Sequence, residues 1–176
     1  ESVFNPSSPY SASKAASDLL VKAWNITYKF PVITTHCSNN YGPYQFSEKL
    51  IPLVIIHCIL EKKIPVYGTG RNIRDWINVK DHCNALNNIL MNGSIGETYN
   101  IGGNTEKSNL EVINIICNIL NNLKPRKNGK KYEDLITYVE DRPGHDLRYA
   151  ISNHKVSSLL KWKPKTSFKE LIQLMM

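Results

Sequence analysis

The 176 residues predict an α/β fold: the C-terminal part of a parallel sheet followed by a smaller, mixed α/β lobe. Two observations carry this. Apolar residues recur at helical spacing in long segments, and short β-branched or aromatic runs stand between them. Helical and extended segments also alternate along the chain, the order expected of an α/β protein.

The elements follow in order. Residues 1–7 read as a loop. Ser8 is a good N-cap and Pro9 suits the first helical position, so a helix is expected over 9–28. Ala16, Leu19, Leu20, Ala23 and Trp24 form its apolar stripe, and small Ala12, Ala15 and Ala16 would allow close packing. Val32–Cys37 reads as a buried strand. Asn39-Asn40-Tyr41-Gly42-Pro43 reads as a turn at its C-terminal end, where ligands bind in open α/β sheets. A helix is expected over 50–62, strands over 64–68 and 74–79, and a helix over 81–91 with Asp81 near its start. Thr98–Ile101 reads as a strand ending in Gly102-Gly103. Asn109–Leu123 reads as an apolar helix capped by Ser108 or Asn109, and Ile136–Val139 as a strand. Two short helices, near 155–160 and 168–174, complete the pattern.

At 41% hydrophobic and 21% charged, the composition is that of a globular domain with a real core. No apolar run approaches a membrane span, and no basic-then-apolar leader opens these residues. Cys37, Cys58, Cys83 and Cys117 show no CxxC spacing. They read as buried free thiols in a reducing, cytoplasmic compartment, with no metal site. The net charge of +7 raises nucleic acid as a partner. The dense basic cluster of Lys124, Arg126, Lys127, Lys130 and Lys131 lacks any recognition module around it, so it reads as a solvated loop.

Tyr10 and Lys14 carry the clearest chemistry. Four residues apart on a helix, they share one face and reach the same ligand. An ammonium beside a phenol favours the phenolate, a base able to take a proton from a sugar hydroxyl. Polar groups gather at the expected strand ends: Asn39, Asn40, Glu48, Lys49, Arg74, Arg142, His145 and Arg148. Separated arginines suit a pyrophosphate. The simpler alternatives are a salt bridge from Arg74 to Asp75 or another carboxylate and a surface turn position for His145.

Six segments stand in a telling order: Pro9-Tyr10-Ser11-Ala12-Ser13-Lys14, Ser38-Asn39-Asn40-Tyr41-Gly42-Pro43-Tyr44, Glu48-Lys49-Leu50-Ile51-Pro52, Arg74-Asp75-Trp76, Tyr99-Asn100-Ile101-Gly102-Gly103 and Asp141-Arg142-Pro143-Gly144-His145-Asp146. In this the chain resembles the dTDP-glucose 4,6-dehydratase family of the extended short-chain dehydrogenase/reductases. The resemblance runs almost end to end. Its most specific parts are Glu-Lys-Leu-Ile-Pro together with Asp-Arg-Pro-Gly-His-Asp.

The resemblance implies a Rossmann-like sheet, with residues 1–45 ending an NAD-binding domain. Residues 46–176 would be mainly a sugar-nucleotide lobe, with strands returning to the first sheet. It implies NAD as cofactor, dTDP-glucose as substrate and a homodimer. The sugar C4 hydroxyl is oxidised with hydride passing to NAD⁺, water is lost across C5 and C6, and the hydride returns to C6. The product is dTDP-4-keto-6-deoxyglucose. Tyr10 would be the base at O4, and Lys14 would hold the nicotinamide ribose. Cys37 and Ser38 would line the cofactor. Asn39 would contact the pyrophosphate, and Glu48, Lys49 and Leu50 the sugar nucleotide. Pro65 and Tyr67 would lie against the thymine, and Arg74, Asn109, Arg142 and His145 would bind phosphates or nucleoside.

The family's Gly-rich NAD loop and its Thr-Asp-Glu elimination segment precede the Tyr, and neither occurs in these residues. The expectation is therefore a C-terminal fragment of a lyase, inactive alone. The other readings are another NAD-dependent nucleotide-sugar epimerase or decarboxylase, or a non-catalytic sugar-nucleotide-binding fragment.

Overall fold

A computed structural model describes residues 4–168 of the chain. The helix expected over 168–174 lies outside them apart from Phe168. Helix α1 (Pro9–Tyr28) begins as the sequence reading has it. Ser8 Oγ accepts from the Ser11 N–H, and Ser11 Oγ accepts from the Ser8 N–H, a reciprocal cap that satisfies two orphan donors. The helix ends at Lys29, which turns left-handed at φ 56°. None of its residues is buried, which corrects the expectation of a closely packed apolar stripe: Leu19, Leu20 and Trp24 all stand exposed. What ties α1 to the sheet is polar. Asp18 Oδ2 lies 2.8 Å from His36 Nε2 on β1 (Thr34–Cys37).

Strand β1 pairs in parallel with β5 (Thr98–Ile101). After Ser38 the chain resumes as β2 (Asn39–Tyr41), parallel to β4 (Ile73–Asn78), with Asn39 opposite Trp76. The expected turn over 39–43 is thus a strand up to Tyr41. The ladder to β4 overrides the turn chemistry of Asn39-Asn40, and the bend comes only at Gly42. The N-terminal half of β4 is flanked by two strands the sequence did not reveal, antiparallel β6 (Glu106–Ser108) and parallel β8 (Arg148–Tyr149). Strand β3 (Ile64–Tyr67) pairs in parallel with β7 (Ile136–Val139).

Two clusters form the core. In the first, α2 (Leu50–Ile59) and α4 (Asn109–Leu123) pack Ile51, Val54, Ile113 and Ile116 against Ile64 and Val66 of β3. A 3₁₀ turn (Tyr132–Leu135) closes it, with Tyr132 Oη donating to the Lys124 carbonyl. The second joins Ile77, Ala85, Ile89, Tyr99, Ile101, Val156 and Trp162, through α3 (Val79–Asn92) and α5 (His154–Leu160). Helix α3 starts at the Asn78 cap, whose Oδ1 accepts from the Lys80 N–H. Asp81 instead accepts from the backbone N–H groups of Lys165 and Thr166, fastening the segment after α5.

The basic loop is less solvated than its composition suggests. Arg126 is nearly buried, pairs with Glu61 at 2.9 Å and donates to the Lys131 carbonyl. The cysteines also divide: Cys58 and Cys117 are buried, Cys37 is half-buried, and Cys83 is exposed.

Candidate active site

Three strand ends meet at one carboxylate. Asp75 on β4 is 1% exposed. It accepts from Ser38 Oγ at 2.7 Å, the Gly103 N–H at 2.7 Å and the Thr105 N–H at 2.6 Å. A buried charge is tolerated only with donors of this kind around it. The hydroxyl of Ser38 also accepts from the Gly103 N–H. A side chain at Gly103 would strike the Trp76 carbonyl, so only glycine allows this closeness. From within β4, Asp75 therefore joins the ends of β1 and β5 and the start of β6, and commits the Ser38 side chain inward. The Arg74–Asp75 salt bridge considered above is not formed, because adjacent strand residues point to opposite faces.

Cys37 lies beside this junction. Its carbonyl accepts from Tyr149 Oη at 3.5 Å, and burial raises its thiol above the ordinary value. Asn40 is occupied within the protein. Its Nδ2 donates to the Ser38 carbonyl, and His82 Nδ1 lies 2.9 Å from its Oδ1. The amide donor expected of Asn40 is thus turned away from any ligand. Burial lowers His82 below its ordinary value of 6.5, so the neutral ring donates its Nδ1–H to Asn40.

A second polar group gathers where β3 and β7 end together. Tyr67 is opposite Val139, and the Gly68 N–H donates to the Val139 carbonyl. The loop that follows carries Asp141, Arg142 and His145. The Arg142 guanidinium sits 5.4 Å from the centre of the Tyr67 ring, in cation–π range. Arg142 Nη2 lies 3.0 Å from His145 Nε2, and His145 Nδ1 lies 2.7 Å from Asp141 Oδ1. That imidazole side chain is only 6% exposed, so His145 is not the surface turn residue of the simpler reading. Arg74 reaches the same loop, donating Nη2 to the Asp146 carbonyl and Nη1 to its neighbour Ile73. Burial lowers the Arg74 guanidinium, opposed by Asp146 and assisted by Arg142.

The segment just before Tyr10 and Lys14 approaches this loop. Asp18 is level with His36, so Lys14 and Tyr10 lie one and two turns beyond it, towards the C-terminal end of β1. At that end a Cβ on Gly144 would stand 3.5 Å from the Ser7 carbonyl. The start of α1 and the Arg142–His145 turn are therefore neighbours. Tyr10 is 75% exposed, and Lys14 is exposed with it. Glu48 and Lys49 are exposed at the start of α2, where Lys49 pairs with Glu48, and Leu50 packs against the first core. Half-buried Pro65 lies two residues before Tyr67 on β3. Asn109 opens α4, its N–H donating to the Asn72 carbonyl. Asn39 is half-exposed on β2. Sequence reasoning gave no role to Asp75 or Asp141, although both stand in the quoted motifs, and did not single out His82; the contacts of all three are to other residues of the protein. Among the described residues, no group of three His, Cys, Asp or Glu side chains could hold a metal ion, and no helix is long and apolar enough to cross a membrane.

An α/β fold with a Tyr/Lys pair at the start of α1 is the class in which the comparisons place the chain. The chain belongs to the family described as GDP-mannose 4,6 dehydratase, matched over residues 1–175. Within that family its similarity is to dTDP-glucose 4,6-dehydratases. The one from Xanthomonas campestris pv. campestris (strain B100) is 54% identical over 171 residues, covering 97% of this chain and 49% of that protein. The crystal structure of the Bacillus anthracis enzyme in complex with NAD is 46% identical at a TM-score of 0.88, covering 99% of this chain and 53% of that one. DesIV, the Streptomyces venezuelae dTDP-glucose 4,6-dehydratase solved with NAD bound, is 39% identical at a TM-score of 0.90, covering 99% and 51%. The chain spans about half the length of the curated relatives it matches.

Proposed function

We propose that this chain forms the substrate-side half of a dTDP-glucose 4,6-dehydratase that uses NAD. The observation that supports the reading is the approach of the residues before α1 to the Arg142–His145 turn, where a Cβ on Gly144 would stand 3.5 Å from the Ser7 carbonyl.

Tyr10 Oη takes the proton of the sugar C4 hydroxyl. Lys14, one turn away, hydrogen-bonds the ribose of the cofactor and supports the phenolate. The two side chains fit NAD in chemistry: an ammonium and a phenol, both open to a ligand, suit ribose hydroxyls. Bound NAD supplies the reversible hydride acceptor. Cys37 closes the cofactor side of the pocket, and Ser38 shapes it through Asp75. Arg142, with Arg74 behind it, meets the pyrophosphate. Tyr67 and Pro65 stack against the base, and His145, Asn109 and Asn39 bind the rest of the nucleotide. Glu48, Lys49 and Leu50 border the sugar. Once C4 is a ketone, the C5 proton is acidified and water is lost across C5 and C6. The acid and base for that loss lie outside these 176 residues.

The same reading gives residues 1–45 to the cofactor domain and 46–176 mainly to the nucleotide lobe. It makes the enzyme a homodimer, with Leu20, Trp24 and Phe30 of the exposed α1 groove at the interface. Four free cysteines suit the reducing cytoplasm.

The test is turnover by the full-length polypeptide. The reading expects dTDP-glucose to lose one water, giving the 4-keto-6-deoxy sugar. Epimerisation or decarboxylation of UDP-sugars, with dTDP-glucose untouched, would replace it with the second enzyme reading.

A further inference from the structure

The Asp141–His145–Arg142 chain carries more than a list of ligand contacts. An arginine can only donate, so His145 Nε2 must accept from Arg142 Nη2 at 3.0 Å. The ring proton is then on Nδ1, 2.7 Å from Asp141 Oδ1. The same oxygen accepts the Arg142 backbone N–H at 2.8 Å. Of the two neutral tautomers, only Nδ1–H satisfies both neighbours, and an ionised carboxylate selects it.

The backbone makes room for that carboxylate. Gly68 is left-handed at φ +55°, and a Cβ there would stand 2.7 Å from Asp141 Oδ2. The left-handed turn at the end of β3 favours glycine, and its missing side chain leaves room for the Asp141 carboxylate where it stands.

We propose that Asp141 is a positioning residue: it fixes the Nδ1–H tautomer of His145, which then holds the Arg142 guanidinium over Tyr67, aimed at the nucleotide phosphates. This rests on the sugar-nucleotide reading above. Asp141 is distant in role from the proton chemistry at Tyr10, so its loss weakens binding and spares the chemical step. The side chain is 41% exposed, so its truncation leaves the fold intact.

The experiment uses the full-length enzyme, ¹⁵N-labelled at histidine, as wild type, Asp141→Ala and Asp141→Asn. Long-range ¹⁵N–¹H spectra, with the His145 signals assigned by H145Q, read the tautomer directly. The expected spectra show Nδ1–H at His145 in wild type and in D141N, whose amide oxygen still accepts, and its loss in D141A. Kinetics should follow: D141A raises KM for dTDP-glucose about tenfold and leaves kcat within about twofold, while D141N stays close to wild type. A wild-type His145 protonated on Nε2 would overturn the proposal. So would an unchanged KM in D141A, or a fall in kcat without a rise in KM. If the wild-type enzyme ignored dTDP-glucose, the preceding reading would fail, while the tautomer spectra would still decide the role of Asp141.

Discussion

Tyr10 carries the heaviest functional claim, and its setting is simple. It lies in the first turn of α1, behind a reciprocal Ser8–Ser11 cap, open to a ligand. On the proposed reading, removing its exposed hydroxyl takes away the proton acceptor and little else. In the full-length enzyme, Tyr10→Phe should lower kcat by about 10³-fold and leave the dissociation constant of dTDP nearly unchanged in calorimetry. A second residue makes a pH prediction. Burial holds His82 below its ordinary 6.5, so the unfolded chain binds a proton that the folded chain resists. Stability is therefore complete above pH 6.5 and falls as the pH drops below it. Urea unfolding at several pH values should show this slope, and His82→Gln should flatten it. Tyr10 and Lys14 were legible in the sequence because helical spacing alone puts them on one face, whereas Arg74 and the Arg142 loop come together only through the fold. His82 and Asp141 were not legible, because their partners, Asn40 and the His145–Arg142 pair, are set by folding.

At the scale of elements, helix α4 shows why long segments were readable. Ser108 and Glu111 form a capping box, with the Glu111 N–H donating to Ser108 Oγ and the Ser108 N–H to Glu111 Oε2. The stripe Val112, Ile113, Ile116, Cys117 and Leu120 is buried as its periodicity requires. Ser108→Ala should cost about 1 kcal/mol. Ile116→Ala, at 0% exposure, should cost about 2–5 kcal/mol in denaturant unfolding. The elements that escaped the sequence are short. Two- and three-residue strands such as β8 and β6 carry no measurable period, and they exist because β4 offers them an edge. Strand β2 was hidden by turn-forming asparagines that the parallel ladder outweighs. Helix α1 was placed correctly by its cap, but its apolar stripe remains exposed.

Across the whole molecule, Asp75 is the buried polar junction on β4, followed in the strand by Trp76 of the first core cluster and Ile77 of the second. It is bonded to Ser38 after β1 and to Gly103 and Thr105 after β5, and it sits beside Arg74 on β4. Asp75→Ala would leave the Thr105 N–H without its acceptor, and would leave the Gly103 N–H only Ser38 Oγ and the Ser38 hydroxyl only the Ile101 carbonyl, so a loss of about 3 kcal/mol is expected. Its melt should fall far more than that of D141A, which separates a residue that builds the molecule from one that aims a ligand contact. The fold class was readable because helices and strands alternate. The junction was not, because its donors come from positions far apart in the chain.

The most direct measurement is to incubate the full-length polypeptide with dTDP-glucose and follow the nucleotide sugar by mass spectrometry, with Tyr10→Phe beside it. The account predicts loss of one water from dTDP-glucose by the wild type and almost none by the variant. Full turnover by Tyr10→Phe, or a wild type that leaves dTDP-glucose intact while transforming UDP-sugars, would contradict it.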